Sequence, residues 1–216
     1  MSALQIRRHF KNYSLPSASK EILQSLCGRD VVGLKIGLRG KYAKAVADGQ
    51  QVPEGALSGE GYREAGFLDV GNGKTIAFRF DELPSCIVMR TVDADLNDKH
   101  FLDKLYVEDD YVPWFLKTYL FAEMPGSQAL IGKRIVSVSA YKYPDNFRGH
   151  TPGNDQLHEV AIGLKLSDGN EYLITPGLGK KRPSDLISVQ PVSVLSDGKT
   201  EAPERIWESR GAAVNA

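Results

Sequence analysis

The chain repeats itself, and a repeating chain must fold as units that bury their apolar faces against their own copies. Leu26, Gly28, Arg29, Val31 and Val32 align in order with Leu130, Gly132, Lys133, Ile135 and Val136. Each stretch reads as the last turn of a short helix, a glycine, a basic residue and a β-branched strand. Glycine takes positive φ after a final helical turn, and Val and Ile suit the strand that follows. In a second block, Phe67, Leu68, Val70, Asn72, Gly73, Ile76 and Phe78 align with Gly163, Leu164, Leu166, Asp168, Gly169, Tyr172 and Ile174. Asn-Gly and Asp-Gly between alternating apolar residues are strong hairpin signals. A third block sets Leu83, Pro84, Ser85, Cys86 and Ile87 beside Arg182, Pro183, Ser184, Asp185 and Leu186.

The expected fold is therefore α+β and β-rich: two tandem copies of a short helix–strand–long loop–hairpin unit, each closed by one more strand, joined by a helical connector. The long loops fall at residues 40–61 and 144–155, where Gly, Pro and polar residues accumulate. The first unit is assigned to residues 1–98, the connector to 99–126, the second unit to 127–195 and a partly flexible tail to 196–216. In the connector, Pro113 suits the first position of a helix and Gly126 its end, with Phe101, Tyr106, Trp114, Phe115, Tyr119 and Phe121 supplying an aromatic face.

Composition narrows the function classes. Lys plus Arg and Asp plus Glu both number 27, so no global field draws nucleic acid or an anionic membrane. Positive charge near the N-terminus (Arg7, Arg8) precedes no apolar run of the kind a secretory signal needs. No stretch approaches the roughly 18 apolar residues of a membrane helix. Two cysteines, Cys27 and Cys86, are too few for a disulfide scaffold. These features predict a cytoplasmic protein with reduced thiols, with no cofactor and no direct contact with nucleic acid or membrane.

Motifs for chemistry are weak. His150 and His158, with Asp155 and Glu159, offer imidazole and carboxylate groups suited to zinc or iron, but their spacing fits neither a helical pair nor a zinc knuckle. Ser17 and Lys20 match a S-x-x-K string, yet Ser17 or Ser19 as the N-cap of the first helix explains it more simply. Gly177, Gly179, Lys180 and Lys181 lack phosphate-loop spacing and read as a solvated turn. Cys27 aligns with Ile131, as a small buried hydrophobe would, whereas Cys86 aligns with Asp185 and is expected to be more exposed. His9 and His100 are isolated. No catalytic or metal-binding residue is assigned.

The feature that stands out is electrostatic. Asp93, Asp95, Asp98, Asp103, Glu108, Asp109 and Asp110 crowd one stretch and interleave with Tyr106, Tyr111 and Trp114. Acidic runs often form only a solvated face. Acid interleaved with Tyr and Trp also suits a binder of a basic protein surface, because charge speeds encounter and aromatics anchor. The expected partner-binding residues are Asp98, Asp103, Glu108, Asp109, Asp110, Tyr111 and Trp114.

The pattern of a short helix, Leu-x-Gly-[Arg/Lys] (Leu26 to Arg29, Leu130 to Lys133), a β-branched strand, a long loop and an Asn/Asp-Gly hairpin resembles units of small bacterial immunity proteins. These neutralise toxins delivered by contact-dependent or type VI-like secretion. The resemblance covers the two repeats, about two thirds of the chain, and implies a non-enzymatic protein that blocks a cytoplasm-acting cognate toxin by tight binding. The alternative expectation is an enzyme or ligand-binding protein with a metal or small-molecule site in a cleft between the repeats, using His150, His158, Asp155 and Glu159.

Overall fold

The computed structural model describes residues 13–39, 66–71, 73, 75–81, 86–92, 119–124, 126–143, 159–176, 187–196 and 203–210. Among the described residues, ten strands form two antiparallel five-stranded sheets. The first contains β1 (Gly33–Arg39), β2 (Gly66–Asp69), β3 (Thr75–Asp81), β4 (Cys86–Val92) and β5 (Tyr119–Glu123), in the order β4-β3-β2-β1-β5. The second contains β6 (Ile135–Lys142), β7 (Glu159–Leu166), β8 (Glu171–Pro176), β9 (Ile187–Pro191) and β10 (Glu204–Arg210), in the order β9-β8-β7-β6-β10. Each sheet is thus a four-stranded meander with a fifth strand on the free edge of its first. Helix is scarce among the described residues: α1 (Lys20–Gln24) has five residues, and 3-10 turns cover Pro16–Ala18, Ser127–Ala129 and Val192–Ser196. No helix among the described residues is long and apolar enough to cross a membrane.

Local chemistry explains the turns. Gly28 and Gly132 both take positive φ (81° and 78°) ahead of β1 and β6, where a side chain would be strained. The β7–β8 turn uses Gly169 at φ 84°, and the Asp168 carboxylate accepts the backbone N–H of Asn170. Alternation along the strands then builds the core. Leu34 and Ile36, Leu68, Ile76 and Phe78, and Ile87 and Met89 from the first sheet meet Val138, Ile162 and Leu164, Ile174 and Val189 from the second. Leu23 and Leu26 of the α1 region join the same cluster, so both sheets share one hydrophobic interior.

Several expectations require correction. The connector assigned to a helix over 99–126 instead contributes strand β5 at Tyr119–Glu123, paired with β1 from Lys35 opposite Glu123 to Arg39 opposite Tyr119. The open edge of β1 offers backbone partners there, and Tyr-Leu-Phe is as good a strand sequence as a helix face. Pro113 and the rest of 99–118 lie outside the described residues. Gly126, expected to end a helix, sits at φ 81° before the turn Ser127–Ala129. Within the stretch set aside as a tail, Glu204–Arg210 is strand β10 on the edge of β6.

The third aligned block also shifts by one residue. Phe78 lies opposite Met89 and its counterpart Ile174 lies opposite Val189, so Met89 corresponds to Val189 and Cys86 no longer aligns with Asp185. Cys86 is fully buried at the start of β4 rather than exposed. Ser19 does hold the N-cap position of α1, but neither it nor Ser17 supplies a side-chain cap. Their hydroxyls are used by Ser14 and Glu159.

Leu164 has no exposed surface, and cutting it to Ala in so continuous a core is expected to cost about 2–5 kcal/mol. Denaturant unfolding followed by circular dichroism should show one transition moved as a whole; two separated transitions would mean that the sheets unfold independently.

Candidate functional site

The expected partner-binding residues Asp98, Asp103, Glu108, Asp109, Asp110, Tyr111 and Trp114 lie outside the described residues, as do His150, Asp155 and His158. Of the histidine–carboxylate group only Glu159 is described. It begins β7, opposite Lys142 of β6, and is buried (5% exposed). Its Oε2 accepts the backbone N–H of Ser17 at 2.8 Å, and its Oε1 accepts the Ser17 hydroxyl. Burial pushes this carboxyl up, against the opposing pull of both Ser17 bonds and of Lys142 and Lys20. The S-x-x-K string and the carboxylate are therefore parts of one contact that ties the N-terminal turn to the second sheet. Among the described residues no three His, Cys, Asp or Glu side chains are grouped to hold a metal ion.

A different cluster, missed by sequence reasoning, stands on the second sheet. Tyr141 of β6, Glu171 of β8 and Arg205 and Glu208 of β10 converge over β7, which lies between β6 and β8. The Tyr141 hydroxyl donates to Glu171 Oε1 at 2.7 Å and accepts from Arg205 Nη2 at 2.9 Å and Nε at 3.2 Å. Arg205 Nη2 also reaches both Glu171 oxygens (2.9 and 2.7 Å), while Nη1 reaches Glu208 Oε2 at 3.1 Å. The guanidinium carbon lies 5.6 Å from the Tyr141 ring centroid.

Gly163 of β7 makes room for this arrangement. A Cβ there would fall 2.8 Å from the Tyr141 ring and 3.0 Å from Glu171 Oε1. Tyr141 is pushed up to about 12, first by burial and then by its bond to Glu171. At neutral pH it is a hydrogen-bond donor and does not serve as a base. Only the strand alternation that sets Tyr141 and Glu171 on the sheet face away from the core could have signalled the cluster, and the β10 partner lies in what reads in sequence as a tail.

Two further charged features belong to the framework. Arg79 of β3 and Arg90 of β4 flank the Tyr13 ring at 5.6 and 5.1 Å, on the face of the first sheet opposite the shared core. At the junction of the halves, Asp30 and Arg134 form a backbone bridge, and Arg134 Nε donates to Asp30 Oδ1 at 3.0 Å. A groove of about 210 Å³ between α1 and the first sheet is lined by Glu21, Ile22, Ser25, Leu26, Val70, Ile76 and Thr91. It is smaller than the usual small-molecule site.

No protein-family model matches this chain, and no curated protein or solved structure does so either.

Tyr141 and Tyr143 both keep their protons to about pH 12, with burial as the leading cause. Each folded pKa lies above the ordinary value of 10.0. The folded state therefore holds these protons more tightly, and their stabilising contribution is lost as pH rises from about 10 to about 12. Melts across this range should show a pH slope that the Tyr141→Phe, Tyr143→Phe double variant loses in part; an unchanged slope would place the phenols in contact with solvent.

Proposed function

We propose that the protein is a non-enzymatic binding protein built from two tandem copies of one unit, acting as an immunity protein that neutralises a cytoplasm-acting toxin by tight binding. Support for the duplication comes from pairing. Leu34 lies opposite Leu68 as Val138 lies opposite Leu164, and Leu68 opposite Ile76 as Leu164 opposite Tyr172. At the junction, Gly28 N–H bonds Ile135 O and Gly132 N–H bonds Val31 O; Val31 N–H bonds Lys133 O and Ile135 N–H bonds Arg29 O. Exchanging each residue for its aligned counterpart converts one bond of each pair into the other. This is the behaviour of two like units related by a local two-fold.

The observation that carries the binding reading is how the described reactive groups are used. Glu159 is bonded to Ser17, and Tyr141, Glu171, Arg205 and Glu208 are bonded to one another. The side chains of the Tyr141–Glu171–Arg205–Glu208 cluster are ordered in advance, and a rigid charged surface favours recognition with little ordering cost. With Glu159 committed to Ser17, the metal reading loses one of its four candidate groups. In the proposal, the segment holding Asp98, Asp103, Glu108, Asp109, Asp110, Tyr111 and Trp114 meets a basic surface of the toxin, and aromatic anchors supply most of the energy.

The test is affinity purification from the source organism followed by reconstitution with the captured protein. A stoichiometric complex with a toxic domain, whose activity is suppressed on binding, is the expected result. Replacing Asp109 and Asp110 by Asn together with Trp114 by Ala should weaken that complex at least tenfold, with the loss largest at low salt. Unchanged affinity would remove the acidic segment from the interface, and no partner at all would remove the immunity reading.

A further inference from the structure

We propose that the contact between Ser17 and Glu159 is a proton-sensitive latch that holds the N-terminal turn between the two sheets. The turn Pro16–Ala18 is gripped from both sides. On one side Ser14 exchanges backbone hydrogen bonds with Met89 of β4, at 3.0 and 2.8 Å. On the other, the two donors of Ser17 converge on the Glu159 carboxylate at the start of β7. Ser19 reinforces the grip through its hydroxyl contact with Ser14 at 2.8 Å, and its carbonyl accepts the Leu23 N–H that opens α1. Glu159 is therefore the side chain through which the second sheet holds a segment already bound to the first.

The chemistry of the grip depends on one proton. An ionised Glu159 accepts from both Ser17 donors; a neutral one still accepts the N–H, and its own O–H can donate to the Ser17 oxygen. Both forms can bond, but only the ionised form places a charge in a buried site, at a cost that grows with desolvation. The charged groups facing it are Lys142 of β6, across the strand pair, and Lys20 of α1. Of the other neighbours, β4 carries Arg90, whose guanidinium lies over Tyr13, and β8 contributes Thr175, whose hydroxyl donates to the Val160 carbonyl. Burial outweighs the two lysines, and the carboxyl is raised above its ordinary 4.5.

The direction of the switch follows. The latched state binds the proton more tightly than an opened state in which Glu159 meets water. The latch is strongest below pH 4.5, weakens as pH rises from there, and levels off once the buried carboxyl has ionised. Within that window one proton is released per opening, so the opening constant rises by up to about tenfold per pH unit.

Hydrogen exchange of the full chain, read at the Leu23 and Met89 amides and corrected for intrinsic rates, measures this opening from pH 4.5 to 8. The expected result is an opening constant that climbs with pH in the native protein and stays level in Glu159→Gln, which keeps the shape and removes the ionisation. Ser17→Ala provides an independent check. Losing the hydroxyl that stabilises the ionised form should extend the climb to higher pH, with its onset unchanged. A level profile in the native protein, the same climb in Glu159→Gln, or a climb in Ser17→Ala that levels off at the native pH would each overturn the latch.

Discussion

Both sheets are arranged around a short backbone ribbon, where the chain before β1 meets the chain leading into β6. Four backbone hydrogen bonds join the 28–31 stretch to the 132–135 stretch, and Val31 and Ile135 point from it into the shared core. Backbone pairing fixes direction and register where side-chain contacts alone would leave both adjustable. Because β1 and β6 leave this ribbon immediately, each sheet starts at a defined place relative to the other. Their alternate apolar side chains then fill one interior instead of two. The cost of a badly placed ribbon would be large, since every strand downstream inherits its position.

The edges created by this plan are handled differently at different places. Outer strand β4 is met by Ser14 through a two-bond bridge. Outer strand β10 is interrupted by a bulge between Arg205 and Trp207 and carries Glu204, Arg205, Glu208 and Arg210. A thiol contact from Cys27 to the Ser209 carbonyl (3.7 Å) adds cover from the α1 side. Charge and bulging are common defences of a strand edge against unwanted pairing. The Tyr141–Glu171–Arg205 cluster follows from the same geometry. It knits β10 to β6 and β8 with side chains, adding to the ladder that the bulge interrupts.

Much of this was legible in the sequence, in specific places. Gly28 and Gly132, the β-branched residues behind them and the Asp168-Gly169 turn are local signals, each readable from a few neighbouring residues. In the sequence Glu159 reads as a possible ligand, but its partner, Ser17, lies at the other end of the chain and reads as a cap. Neither its burial nor its bond to Ser17 leaves a local trace. The third aligned block was displaced by one residue because Cys86 and Ile187 begin strands of equal character whose register only their partners reveal.

What the sequence determined by itself is the β-rich plan, since it rests on backbone preferences that act over a few residues: glycines at positive φ, Val and Ile in strands, Asx-Gly at a hairpin. What the tertiary structure decided is the fate of the segments with no strong preference. Tyr119–Glu123 became β5, and Glu204–Arg210 became β10, because β1 and β6 each had an unpaired edge whose N–H and C=O groups needed partners. The tertiary structure also decided the chemistry, by closing Ser17 onto Glu159 and Arg205 onto Tyr141. A carboxylate or a guanidinium has no fixed role until the fold supplies its neighbours and removes its water.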